Sequence, residues 1–507
     1  MSLSDQRTRA EHGSIQAFLS EAMTPDQLRR VLFVSFTQWD FALAALAEIA
    51  VALEHRGSDL SLAFWTENTP LRDPGWSSSG RLSKLMGSAS RDQHAMRALQ
   101  AAGISKDCFI APPLSGWKPT ADISISGPMN RTQIRSLTYH GSPMGRAILQ
   151  VHPDTETPIT DSFFWSKRWL QAAARSYAYV FDQTVEAIRS RGITAIVVYN
   201  GRFLHDRAAS AAAEFAGIPV LYYDTGGIDT DFDVTDSVTH DWSDLQRRML
   251  ALYDTWPVDE RDALASSWFE ERRNHVAADN ALFVETQRIG ESIERPDAER
   301  VIVYFSSSGD EIAELELDWS TFIGSQEVAL QLLAEECRRL PGTKLIVRSH
   351  PHMRMKPHQD LVEWLAAVEK AAPDMHLDPY SPVDSYELMA QADLVVTYGS
   401  TTGVEAAYAG KPVIVMGPSA YDQLGCANFV STQAQLAEAL VSTEPGSWSG
   451  AVSYGLMMRR RGLMLEFVQR DAAAGFSLAG EVFGDAPIAV RHAGHLYKRF
   501  QKWRLSR

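Results

Sequence analysis

The sequence predicts an α/β protein built as two successive Rossmann-like domains facing an interdomain cleft. Three observations carry that expectation. The chain has 507 residues, too many for one compact core and enough for two domains of roughly 200–280 residues each. Short apolar runs alternate with helix-length amphipathic stretches, and this rhythm stops once and then starts again. In the second half, apolar runs lead directly into turns rich in Ser, Thr and Gly. In α/β folds, ligands bind at these carboxyl ends of strands.

In chain order, residues 1–30 read as a helical preface. VLFVSF at 31–36 is a strand, 41–55 a helix and 60–65 a strand. Residues 67–80 and 111–130 are loops, being rich in Pro, Gly and Ser. Trp165, Trp169, Tyr177, Phe181 and Val185 recur at about every fourth position, which predicts a helix over 161–190 with a core-facing aromatic stripe. AIVVY at 195–199 is a strand, 203–216 a helix and 220–223 a strand, with two more helices near 241–255 and 258–279. The pattern lapses over 280–299, around Arg295-Pro296. It resumes with strands at 301–305, 344–348, 393–398 and 412–416, and helices near 323–339, 361–371, 384–392, 402–409 and 432–441. The expected division is a first domain over 1–285, a second over 300–450, and C-terminal helices over 451–507.

A formal net charge of −15 argues against general affinity for nucleic acid. Three scattered cysteines, Cys108, Cys337 and Cys426, suggest neither a disulfide framework nor a zinc knuckle. The polar start MSLSDQRTRAEHGS has no apolar stretch of signal-peptide type, and no run of about 18 apolar residues occurs. A cytoplasmic location is therefore expected. Residues 491–507 carry six Lys or Arg and no acid, with Leu496, Phe500 and Trp503 on one helical face. Such a helix can touch an anionic membrane or pack its aromatic face back on the protein.

Three strand-to-helix turns could carry chemistry. After the strand at 393–398, Gly399-Ser400-Thr401-Thr402-Gly403 opens a helix. Hydroxyls and free N–H groups there suit a phosphate, and Glu405 on the first turn suits ribose hydroxyls. Plain capping by Ser400 or Thr401 is the alternative. After the strand at 344–348, Arg348-Ser349-His350-Pro351-His352 offers a permanent positive charge and an imidazole donor. His350, His352 and His358 match no familiar zinc spacing, so no metal is expected. After the strand at 301–305, Ser306-Ser307-Ser308-Gly309 is a third hydroxyl-rich turn. Each turn alone is ordinary; their shared position in one sheet makes the case.

Residues 301–420 resemble the nucleotide-binding half of bacterial capsule and lipopolysaccharide transferases of the GT-B type. Relatives include capsule-type Kdo transferases, bacterial sialyltransferases and CDP-glycerol polymer-forming enzymes. His350-Pro351 and Ser400-Thr401 look like the two motifs with which CMP-sugar users of this group contact the donor phosphate. ADLVVTYGSTTGVEAAYAGKPVI looks like the group's donor-phosphate segment. In the first half, Tyr199-Asn200-Gly201-Arg202, Arg207 and GIPVLYYDTGG resemble the capsule-synthesis pattern, with Asp224 where that pattern has Glu.

The resemblance implies transfer of a sugar from a nucleotide-activated donor, a CMP-sugar among the candidates, to a growing cell-surface polysaccharide or lipid-linked acceptor, with no cofactor. An inverting reaction needs a general base near the acceptor hydroxyl. Asp40 and Asp224, each following a strand of the first domain, are candidates. Asp40 could equally cap the helix it begins. Asn200, Arg202 and Arg207 could bind sugar hydroxyls or a carboxylate, and Arg207 could equally be solvated. Three alternatives stay open: a CDP-alcohol phosphotransferase, a nucleotide-sugar 2-epimerase, and a non-catalytic scaffold.

Overall fold

The computed structural model describes residues 14–35, 40–64, 91–111, 114–150, 161–228, 230–239, 241–277, 284–308, 314, 321–471 and 475–483. The chain forms two compact units. Unit 1 is Met1–His152, Phe164–Thr239 and Arg461–Arg507; unit 2 is Pro153–Phe163 and His240–Arg460.

Unit 1 begins with helix α1 (Ile15–Ala22), capped by Ser14 Oγ, which accepts from the Ala17 N–H. Strand β1 (Arg30–Ser35), helix α2 (Asp40–His55), strand β2 (Asp59–Phe64), helix α3 (Arg91–Ala101) and strand β3 (Phe109–Ile110) follow. Every residue from Ala42 to Leu53 is buried. Small and aliphatic side chains all round α2 let it sit inside the core rather than on its surface. Short helices α4 (Arg131–Arg135) and α5 (Met144–Leu149) lead to the long α6 (Lys167–Arg191). Ser166 caps α6, and Gly192 ends it in the left-handed conformation. Tyr177, Phe181 and Val185 of the aromatic stripe are buried.

Strand β4 (Ala195–Tyr199), helix α7 (Leu204–Ala216), and strands β5 (Val220–Thr225) and β6 (Asp231–Thr235) complete the first pass. The sheet order is β6-β5-β4-β1-β2-β3. All neighbours run parallel except β5 and β6. The chain winds outward through β2 and β3 on one side of β1, and through β4 and β5 on the other. The order therefore reverses between β1 and β4, and the ends of Ser35 and Tyr199 flank the crevice of that switch point.

Unit 2 opens with helices α8 (Trp242–Thr255) and α9 (Val258–Arg273). Its parallel sheet comprises β7 (Arg300–Phe305), β8 (Thr343–Arg348), β9 (Met375–Leu377), β10 (Leu394–Thr397), β11 (Val413–Val415) and β12 (Asn428–Phe429). The order is β12-β11-β10-β7-β8-β9. Helices α10 (Gln326–Arg339), α11 (His358–Ala371), α12 (Ser385–Gln391), α13 (Thr402–Tyr408), α14 (Gln433–Ser442) and α15 (Trp448–Arg460) alternate with or follow the strands. The switch point lies between β7 and β10, where Val395 pairs with Val303 and Thr397 with Phe305.

After unit 2 the chain returns to unit 1. Strand β13 (Leu463–Met464) pairs antiparallel with β6, and β14 (Gln469–Asp471), β15 (Gly475–Leu478) and β16 (Glu481–Val482) form a small sheet. Val468, Phe476, Leu478 and Phe483 join the unit 1 core. Buried Glu48, on α2, holds this segment by accepting N–H bonds from Glu466, Phe467 and Val468 at 2.6–3.0 Å.

This division departs from the expected boundaries at 285, 300 and 450. Residues 240–285 belong to unit 2, because Met249, Trp268 and Phe269 pack with Tyr454 and Met457 in its core. Leu463–Met464, Gln469–Asp471, Gly475–Leu478 and Glu481–Val482 are strands of unit 1, where helices were expected. The 491–507 helix lies outside the described residues. Among the described residues, no helix is long and apolar enough to cross a membrane.

Candidate functional site

The three second-half turns follow the neighbouring parallel strands β10, β7 and β8, at their carboxyl ends. Ser306 follows β7: its N–H donates to the Arg348 carbonyl (3.1 Å), and its Oγ accepts from the His350 N–H (2.8 Å). The β7 and β8 turns are thereby stitched together. Ser307 is held through its backbone, its N–H donating to Gln326 Oε1 (2.6 Å) and its carbonyl accepting from Gln326 Nε2 (3.2 Å). Ser308 is half-buried, and among the described residues no side-chain hydrogen bond diverts its hydroxyl.

His350 caps a short 3-10 turn, Pro351–Met355. Its Nδ1 accepts from the His352 N–H (3.2 Å), which places the imidazole proton on Nε2. Arg348 is placed differently from expectation. It is 1% exposed, and its Nη1 and Nη2 donate to the carbonyls of Asp378 (3.0 Å) and Ser381 (3.2 Å). Burial lowers its pKa to about 10. Arg348 therefore fixes the loop after β9, which leaves its guanidinium committed to backbone.

The turn after β10 is shaped by a glycine. Gly399 has φ +82°, and a Cβ there would stand 1.9 Å from the Pro418 carbonyl oxygen. Ser400 N–H donates to Thr397 Oγ1 (2.9 Å), and the Ser400 carbonyl accepts from Tyr421 Oη (2.6 Å). Ser400 Oγ accepts from the Thr402 N–H (3.4 Å) and lies 3.2 Å from Thr402 Oγ1. Ser400 thus builds the turn. Thr401, half-buried, makes no side-chain capping bond, so its hydroxyl is available to a ligand. Glu405 is not open as expected: its Oε1 accepts from Arg272 Nε at 2.7 Å, with both side chains buried. Tyr386 stands beside it, its hydroxyl held protonated by burial and the Glu405 charge.

A second polar cluster lies at the carboxyl ends of β4 and β5 in unit 1. Asn200 adopts φ +53° and Gly201 φ +74°. A Cβ on Gly201 would stand 2.4 Å from the Tyr222 ring, so the turn requires glycine. Asn200 Nδ2 donates to Asp224 Oδ2 (2.5 Å) and the Thr225 N–H to Asp224 Oδ1 (2.7 Å). Burial, and next the Asp224 charge, raises the pKa of the Tyr199 hydroxyl. Arg202 is 8% exposed, with its guanidinium 5.4 Å from the Phe203 ring centroid. Arg207 is half-buried, and its charge reaches Tyr222, on the opposite sheet face from Tyr223. Asp40 is the first residue of α2, following residues 36–39, which lie outside the described set.

The structure thus joins Ser306 to His350, and Asn200 to Asp224. Arg272, Gln326, Tyr421 and Asp206 were not singled out from sequence. Among the described residues, no group of three or more His, Cys, Asp or Glu is placed to hold a metal ion.

Residues 314–446, wholly within unit 2, match the family described as capsule polysaccharide biosynthesis protein. The resemblance read at 301–420 therefore stands as one to that group. No curated protein matches the chain. Among solved structures, the KpsC beta Kdo 2,4 transferase of Thermosulfurimonas dismutans is similar at 15% identity, over 52% of this chain and 79% of that one, with a TM-score of 0.33. The KpsC beta Kdo 2,7 transferase of the same organism is similar at 15% identity, over 62% and 90%, with a TM-score of 0.34. The UDP-GlcNAc 2-epimerase of Neisseria meningitidis, bound to UDP-GlcNAc, is similar at 12% identity, over 81% and 90%, with a TM-score of 0.24.

Proposed function

We propose that this protein is a glycosyltransferase of the GT-B type that moves a sugar from a nucleotide-activated donor to a growing capsule-type polysaccharide or its lipid-linked acceptor. The observation that carries the reading is the Ser306–His350 bond (2.8 Å), which locks the turns after β7 and β8 together beside the unit 2 switch point. His350 lies within the stretch that matches the capsule-synthesis family, and Ser306 just before it.

In this reading, Ser308, Thr401 and the His350 Nε2–H donate to the donor's phosphate oxygens. As the bond from sugar to phosphate breaks, its electron pair leaves with the nucleotide, and these donors stabilise the developing charge. Ser306, Ser400 and Thr402 hold the turns that aim them. Arg348 acts one step back, by fixing the loop after β9, and Glu405 by anchoring α13 through Arg272. No metal ion is needed for this charge stabilisation. On the acceptor side, Asp224 takes the hydroxyl proton as the new glycosidic bond forms, with Asn200 and Arg202 orienting the sugar. Asp40 is the alternative base. The reaction would take place in the cytoplasm, with residues 491–507 resting on the inner leaflet.

A thermal-shift panel of CMP, CDP, UDP, GDP and their sugars on the full-length protein tests this. One nucleotide and its sugar should raise the unfolding temperature. A panel with no shift for any nucleotide would contradict it.

A further inference from the structure

Asp206 lies in the first turn of α7, where a solvated acid is ordinary. It is instead 3% exposed. Its Oδ1 is buried without a hydrogen-bond partner, and among the described residues no cation pairs with it. Asp224 is its reverse. That carboxylate is half-buried and accepts from Asn200 Nδ2 and the Thr225 N–H, both bonds that favour the charged form. The charge that acts on Asp206 is that of Asp224. Tyr199 and Tyr223, register partners at the ends of β4 and β5, stand within the field of both carboxyls.

We infer that Asp206 and Asp224 form a carboxyl pair holding one proton at neutral pH, with the proton on Asp206 and the charge on Asp224. A buried carboxylate without donors or a counter-ion is strongly disfavoured, and a neighbouring negative charge disfavours it further. The surroundings supply no relief. From β4 and β5 the groups facing Asp206 are Tyr199, Tyr223 and Asp224. α5 and α6, packed along α7, bring no charge to it. His205 beside it is half-buried, and desolvation lowers its pKa to about 4, so it is neutral. Arg202 and Arg207 flank it in sequence, and neither forms an ion pair with Asp206.

The inference deepens the reading of Asp224 as base, on which its chemical use rests. Asp206 is a positioning residue. When Asp224 takes the acceptor hydroxyl's proton, the pair holds two, and one returns to water to reset it. Through both states Asp206 stays neutral, and the pair's charge stays on the carboxylate that solvent and acceptor can reach.

Infrared spectroscopy of the full-length protein, with D206N and D224N, tests this. The wild-type minus D206N difference spectrum at neutral pH should show a protonated-carboxyl band. In D224N that band should persist but titrate away at a pH lower by about one unit or more, because the neighbouring charge is gone. A difference spectrum without the band, or a band that titrates identically in D224N, overturns the pair. A buried acid with a merely structural role would not respond to D224N. If D206N does not fold, the wild-type and D224N titrations decide alone. Transfer activity of D224N reports separately on whether Asp224 is the base, so either claim can fail without the other.

Discussion

Arg272 Nε and Glu405 Oε1 meet at 2.7 Å, with 9% and 8% of their side chains exposed. This links the end of α9 to the first turn of α13. Removing one partner strands the other charge out of water, which typically costs about 3–5 kcal/mol, whereas replacing both with apolar residues costs far less. We predict that E405Q and R272M each lower the unfolding midpoint in urea markedly. An R272M/E405L double variant should recover much of the loss. Single variants that unfold like the wild type would show that the pair does not anchor α13.

Gly399 should not tolerate a side chain. Its φ of +82° and the 1.9 Å approach to the Pro418 carbonyl act together. G399A should cost more than about 1 kcal/mol of stability and weaken nucleotide binding, because the Ser400–Thr402 turn must shift. Wild-type affinity in folded G399A would separate the turn from the site.

His350 is assigned to the leaving group. H350A should lower transfer by roughly two to three orders of magnitude, about 2–4 kcal/mol, as for other donors to developing negative charge. Its circular dichroism should match that of the wild type. Turnover near wild type would remove His350 from the mechanism. The same assay should survive EDTA; full loss restored by manganese or magnesium would place a metal ion in the reaction.

Glu48 gives unit 1 a pH dependence. Burial raises its pKa above the ordinary value of 4.5, against the N–H bonds that pull it down. A carboxyl raised in the folded state adds stability when protonated. That contribution shrinks as pH rises from the ordinary value through the folded one. The stability gap between wild type and E48Q should therefore narrow from acidic to neutral pH. E48A should also speed hydrogen exchange at residues 466–468. Slow exchange there in E48A would mean that the return segment is held by its apolar contacts alone.

The tail can be tested apart from the site. If residues 491–507 lie on membranes, the full chain should co-sediment with anionic vesicles, and a chain ending at Val490 should not. Equal sedimentation would leave the aromatic face packed on the protein.

Most strands of both sheets were legible within a residue or two. Strands of a parallel sheet are buried on both faces and read as unbroken Val/Ile runs, as in AIVVY and the stretch at 301–305. Strands β3, β6, β9, β12 and β13 were not, being short or paired with residues distant in sequence. The unit boundary failed because the apolar faces of α8 and α9 do not declare which core they join; only their packing on α15 does. At the site, the three turns were legible as turns, but the division of labour within them was not. Arg348 reads as a phosphate contact until its guanidinium is seen bonded to the Asp378 and Ser381 carbonyls. Glu405 reads as open to ribose until Arg272, 133 positions earlier, is found beside it. Asp206 reads as a solvated first-turn acid, and only its burial distinguishes it.

The central claim is that the Ser308, His350 and Thr401 donors hold the nucleotide's phosphate in unit 2. Calorimetric titration of wild type and of an S308A/T401V double variant, with the nucleotide that gives the largest thermal shift, tests it most directly. Hydrogen bonds to a charged group are worth about 1.5–3 kcal/mol each. The double variant should therefore bind at least about 100-fold more weakly while unfolding at the wild-type temperature without ligand. Equal affinity in wild type and variant would contradict the assignment.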